Sequence, residues 1–97
     1  MRAKRADEIA CYSVDFFMDP AADMETLKNE IVDMSKVFDS EKINPLGVNV
    51  DYPVAHFLYL TPEERNEAFK KLSEKGFRVA INIQTAYVDK KYLPRLH

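Results

Sequence analysis

The residues of this chain that could do chemistry are few. It has two histidines, one cysteine and two glycines in 97 residues. His97 is the last residue, which leaves His56 as the one internal imidazole. A tetrahedral zinc site draws on three or four Cys, His or carboxylate ligands, and this supply argues against a metal centre. Cys11 cannot form an internal disulfide. It falls in an apolar strand, where a thiol packs as a small hydrophobe. A Cys11–His56 nucleophilic pair is excluded if, as the alternation suggests, the two residues project from opposite faces of adjacent strands. With only Gly47 and Gly76, no glycine-rich phosphate loop can form. No catalytic residue, metal ligand or cofactor is therefore expected.

The carboxylates are more informative. Asp15 and Asp51 lie in predicted strands, on the same face as Ser13, Asn49, Asn82 and Gln84. Asp is depleted in strands. It reads either as a solvated residue that keeps an open sheet face soluble, or as an anchor for a ligand amine or proton. Asp19, in the turn after the first strand, flanks this set. The candidate ligand- or partner-binding residues are thus Ser13, Asp15, Asp19, Asn49, Asn82 and Gln84.

Those residues need a sheet to hold them. In EIACYSVDFFM, from Glu8, the residues Tyr12, Val14, Phe16 and Met18 alternate with Cys11, Ser13, Asp15 and Phe17, which predicts a strand. Asp19 and Pro20 then carry helix-start chemistry. Met24, Leu27, Ile31, Met34 and Phe38 step by three and four, which predicts an amphipathic helix. GVNVDY and VAHFLYL predict two strands, joined by a tight turn over residues 51–54. In the second of them, leucine content favours Val54, His56, Leu58 and Leu60 as the inward set, over Ala55, Phe57 and Tyr59. LTPEERNEAFKKLSEKGF is a helix marked at both ends: Thr61 as N-cap, Pro62 in the first turn, Glu64 at the third position, Gly76 past the end and Phe77 folding back on Leu72. FRVAINIQTAYV alternates cleanly, and predicts Ile81 and Ile83 in the core with Asn82 and Gln84 outside it.

The order strand, helix, strand, strand, helix, strand gives an α+β chain. With right-handed crossovers it predicts a ferredoxin-like βαββαβ fold, a four-stranded antiparallel sheet with two helices on one face. The first and third strands lie in the middle, and the other face is open. One domain spans 1–97, with residues 1–8 and 89–97 as peripheral basic tails and Tyr92 and Leu93 able to pin the second tail down.

Charge narrows the function. The net charge is −2, yet residues 6–89 hold all 16 acidic residues against 8 basic ones. A body of that sign is repelled by phosphate, which argues against nucleic acid as a partner. An acidic face could instead meet a basic protein surface. No long apolar run is present, so no membrane partner is expected. The basic start MRAKRADE lacks a hydrophobic segment behind it, and the cytoplasm is the expected compartment.

The stretch KINPLGVNVDYPVAHFLYLTPEERNEAFKKLSEKGFRVAINIQTAYVD resembles the back half of ACT-type regulatory domains. Its elements are Ile43-Asn44 leading to Val48 and Val50, Pro62-Glu63-Glu64 opening a short helix, and Gly76-Phe77-Arg78-Val79 entering the last strand. The resemblance covers about half the chain. It implies the ferredoxin-like fold and a regulatory module that binds an amino acid through backbone groups of the turn after the first strand. That turn carries Pro-Gly in the family, whereas Ala21 follows Pro20 here.

Three functions follow as expectations. One is a non-enzymatic ligand-binding or regulatory module, ACT-like, acting as a homodimer. Another is a small acidic inhibitor that occupies a basic surface of a macromolecule. A third is a small dimeric α+β barrel enzyme with His56 or Asp15 as base.

Overall fold

A computed structural model describes residues 7–93 of the chain. Arg2, Lys4, Arg5, Arg95 and His97 lie outside them, with the rest of residues 1–6 and 94–97. The elements are β1 (Glu8–Phe17), α1 (Met24–Ser40), β2 (Gly47–Asp51), β3 (Val54–Tyr59), α2 (Pro62–Glu74) and β4 (Val79–Asp89), followed by a 3-10 turn over Lys90–Tyr92. The sheet order is β2-β3-β1-β4, antiparallel throughout. This is the ferredoxin-like arrangement, with β1 and β3 in the centre. No helix among the described residues is long and apolar enough to cross a membrane.

The main core lies between the sheet and the helices. Val14 and Phe16 of β1 meet Ala55, Phe57 and Tyr59 of β3, Leu27, Met34 and Phe38 of α1, and Ala68 and Leu72 of α2. The rings of Phe38 and Phe57 pack edge to face at 5.0 Å. The Tyr59 hydroxyl donates to the Ile43 carbonyl at 2.6 Å, which ties the α1–β2 connection to β3. Burial, with Glu64 adding a smaller repulsion, pushes that phenol above its ordinary range.

The phase of β3 is therefore opposite to the sequence expectation. Ala55, Phe57 and Tyr59 face the helices, and His56 and Leu58 face away. The deciding contact is the aromatic pair: Phe57 and Tyr59 fill volume under the helices that leucines at alternate positions would leave empty.

The start of α1 also differs. Asp19 does not cap it; its carboxylate accepts from the Ala21 N–H at 2.9 Å, within a turn. Asp23 is the N-cap and accepts from the Thr26 N–H at 2.8 Å. Only part of the expected stripe is covered, because Met24 is 67% and Ile31 46% exposed. By contrast α2 has the ends read from sequence. The Thr61 hydroxyl accepts from the Glu64 N–H, and Phe77 N–H donates to Leu72 O while Gly76 N–H donates to Ser73 O. Those two bonds form a Schellman ending.

Edge strand β4 breaks the expected alternation. Tyr12 pairs with Thr85 and Val14 with Ile81, so residues 82–84 stand opposite Ser13 alone. The two extra residues keep the phase of the strand. Thr85 and Tyr87 stay on the helix side, but Ile83 is thrown outward and is 90% exposed. The bulge has its own bonds: Asn82 Oδ1 accepts from Gln84 N–H at 2.9 Å, and Arg65 of α2 donates to the Asn82 carbonyl at 3.1 Å.

Two substitutions test this frame. Gly76 has φ +90, and a Cβ built there meets nothing within 4 Å. Gly76→Ala should then cost about 1 kcal/mol from backbone conformation alone, read from urea unfolding. Ile83→Ala should change stability by less than about 0.5 kcal/mol, as an exposed residue does, rather than the few kcal/mol of a core isoleucine.

Candidate functional site

Asp15 lies on central strand β1, and its carboxylate gathers side chains from three strands. Ser13 Oγ, two residues earlier on the same face, donates to Oδ1 at 3.0 Å. His56 is directly opposite Asp15 on β3, and its Nδ1 lies 2.6 Å from Oδ1. Asn82 Nδ2, delivered by the bulge in β4, donates to Oδ2 at 3.2 Å. The His56 side chain is 23% exposed and that of Asp15 14%. An ionised carboxylate only accepts, so the proton between the pair belongs to Nδ1. In neutral imidazole, Nε2 then carries a free lone pair, and it takes no hydrogen bond among the described residues.

The sheet face beside this cluster is not wholly open. After β4 the chain turns back, with Asp89 accepting from the Lys91 N–H at 3.0 Å and Leu93 N–H donating to Lys90 O at 3.1 Å. Leu93 then packs, fully buried, on Cys11 and Leu58, with Ile9, Leu46 and Val88 around it. A Cβ at Gly47 would lie 3.2 Å from the Leu93 side chain. The small residue lets this strap approach β2.

Between the strap and the Asp15 cluster lies a concavity of about 550 Å³. Ser13, Asn49, His56 and Asn82 form its polar wall, and Val48, Leu58, Ala86, Val88 and Tyr92 the apolar one. This volume is in the range of small-molecule sites. Among the described residues, no lysine or arginine lines it. A second concavity, about 580 Å³, runs between α1 and the β2 edge and includes Ile31, Phe38, Pro45 and Val48.

The sequence candidates divide accordingly. Ser13, Asp15 and Asn82 are bonded together, and Asn49 stands opposite His56 on β2 and faces the same cavity. Gln84 is exposed in the bulge and does not line it. Asp19 is exposed in the turn before α1, committed to Ala21. Asp51 is exposed at the hairpin end, where the Tyr52–Pro53 peptide is cis. His56 falls outside that set because leucine content in β3 points to the opposite phase of the strand. The signal that could have found it is the aromatic pair Phe57 and Tyr59 on the alternate positions. Cys11 and His56 prove to share one face, but Cys11 is buried beneath Leu93 and burial pushes its thiol upward. Among the described residues, no group of three or more His, Cys, Asp or Glu side chains could hold a metal ion.

Removing Asp15 leaves three side chains without their acceptor. Asp15→Ala should lower stability by about 2 kcal/mol, the usual scale for orphaned partners of a charged hydrogen bond, in urea unfolding. In the native protein, long-range 1H–15N correlation should show neutral His56 protonated on Nδ1. Protonation on Nε2 would contradict the bond to Asp15.

Comparison with known proteins brings no further assignment, since no family model, curated protein or solved structure matches the chain.

Proposed function

We propose that this domain binds a small neutral molecule on the sheet face opposite its helices. The observation that carries this reading is the carboxylate-anchored imidazole in the wall of a 550 Å³ concavity. A solvated face needs no such anchoring. Here Ser13, His56 and Asn82 are held by one carboxylate on a central strand, and rigid placement of polar groups favours recognition. The adjoining wall of Val48, Leu58, Ala86 and Val88 offers apolar burial, which supplies affinity while polar groups supply orientation.

Charge selects the ligand class. Among the described residues the cavity lining contains no cationic side chain, and Asp15 stands behind its polar wall. A carboxylate or phosphate ligand would lose its hydration without gaining a partner. A neutral molecule that accepts from Asn49 and lays an apolar body on the Val48, Leu58, Ala86 and Val88 wall fits better. The turn over residues 18–23, which the ACT resemblance points to, offers less: Asp19 is satisfied by its own backbone.

Titration of 15N-labelled protein with 2-tetralone, benzamide and benzoate tests this. The two neutral compounds should shift the amide signals of Ser13, Asn49, His56, Leu58 and Asn82, and benzoate should leave them in place. Shifts confined to the groove between α1 and β2, or none at all, would remove the reading.

A further inference from the structure

The cavity holds more than binding requires. Its imidazole has one nitrogen fixed by a carboxylate at 2.6 Å and the other without a partner among the described residues. Binding alone would be served by an amide. We infer that His56 is a general base that moves a proton on a bound neutral carbonyl compound, with Asp15 as its positioning residue and Asn49 as the donor to the carbonyl oxygen. The inference rests on the binding reading above and adds a reaction to it.

Four features of the site support the assignment. The Asp15 bond holds the ring in the tautomer that presents a lone pair at Nε2. The imidazolium formed on proton uptake is met by the same carboxylate, in a partly desolvated position where the attraction is stronger than in water. Asn49 stands across from His56 on the neighbouring strand and lines the cavity, and its side-chain amide takes no hydrogen bond among the described residues. It is free to donate to an oxygen on which negative charge develops. Finally, a lining with no cationic side chain among the described residues favours an uncharged ketone or related carbon acid with an apolar body over an anionic substrate.

The step balances without a co-reactant. The Nε2 lone pair takes a proton from the carbon next to the carbonyl. The electrons of that C–H bond form the new C=C bond, and the carbonyl π pair moves onto oxygen, where Asn49 donates. Returning the proton from His56 to carbon restores the ketone; delivering it to oxygen gives the enol. Either return leaves His56 neutral for the next turnover. If water exchanges the proton on the imidazolium first, deuterium from D2O enters the substrate.

The test follows loss of the benzylic C1 proton signal of 2-tetralone in D2O, with its binding read in parallel from protein amide shifts. The native chain should exchange the proton faster than His56→Ala and His56→Gln by on the order of a hundredfold, the low end of general-base contributions. Both variants are first checked for a native amide spectrum. Asp15→Asn should exchange at a rate between that of the native chain and that of the two His56 variants, and should move the His56 proton to Nε2 in the 15N spectrum, a change that a merely structural role would not produce. If 2-tetralone binds at Ser13, His56 and Asn82 but native exchange is no faster than in His56→Ala, the base assignment is overturned and the binding reading stands. If 2-tetralone neither binds nor exchanges, both are overturned.

Discussion

The carboxylate of Asp15 is the constraint on which the far face of this sheet depends. A charge placed on a central strand, 14% exposed, loses much of its hydration, and the loss must be offset by hydrogen bonds. The protein meets that demand with one side chain from each neighbouring strand and one from β1 itself. His56 reaches it by cross-strand register. Ser13 reaches it by the two-residue period of the strand. Asn82 reaches it because the strand that carries it bulges.

The bulge joins the two faces. Opposite Ser13 alone, β4 sets residues 82–84, and the two extra residues let Asn82 turn its amide to Asp15 while its own Oδ1 holds the Gln84 N–H. From the other side, Arg65 of α2 donates to the Asn82 carbonyl and lies 5.9 Å from the centre of the Tyr12 ring. A helix whose ends are tightly specified thereby fixes a residue of the candidate site. Bulges near sheet edges commonly re-aim a side chain in this way. Here the cost is the exposure of Ile83.

The strap after β4 gives the site its depth. A bare sheet face is too flat to enclose a small molecule. Burial of Leu93 on Cys11 and Leu58 raises a wall at one end, and Gly47 leaves the room for it. Tyr92, 67% exposed, stands at the rim of both concavities. The apolar residues Cys11 and Leu58 thus serve a second, smaller core, on the face that alternation in β1 marks as polar.

The sequence by itself determined the elements and their order. Local chemistry decides these: the period of two in β1, the threonine cap and proline at the start of α2, and Gly76 at its end each act within a few residues, so they can be read without knowing what lies nearby. The placement of Asp15 on the face away from the helices was legible for the same reason, since the phase of its strand is set by Tyr12, Val14 and Phe16. What only the tertiary structure decided is everything that depends on a neighbour. The phase of β3 turns on whether leucines or aromatics fill the space under the helices, and with it the placement of His56. The fate of Ile83 turns on a register shift against β1. The wall formed by Leu93 turns on the chain folding back over β1 and β3. In each case packing between residues distant in the chain selects the arrangement.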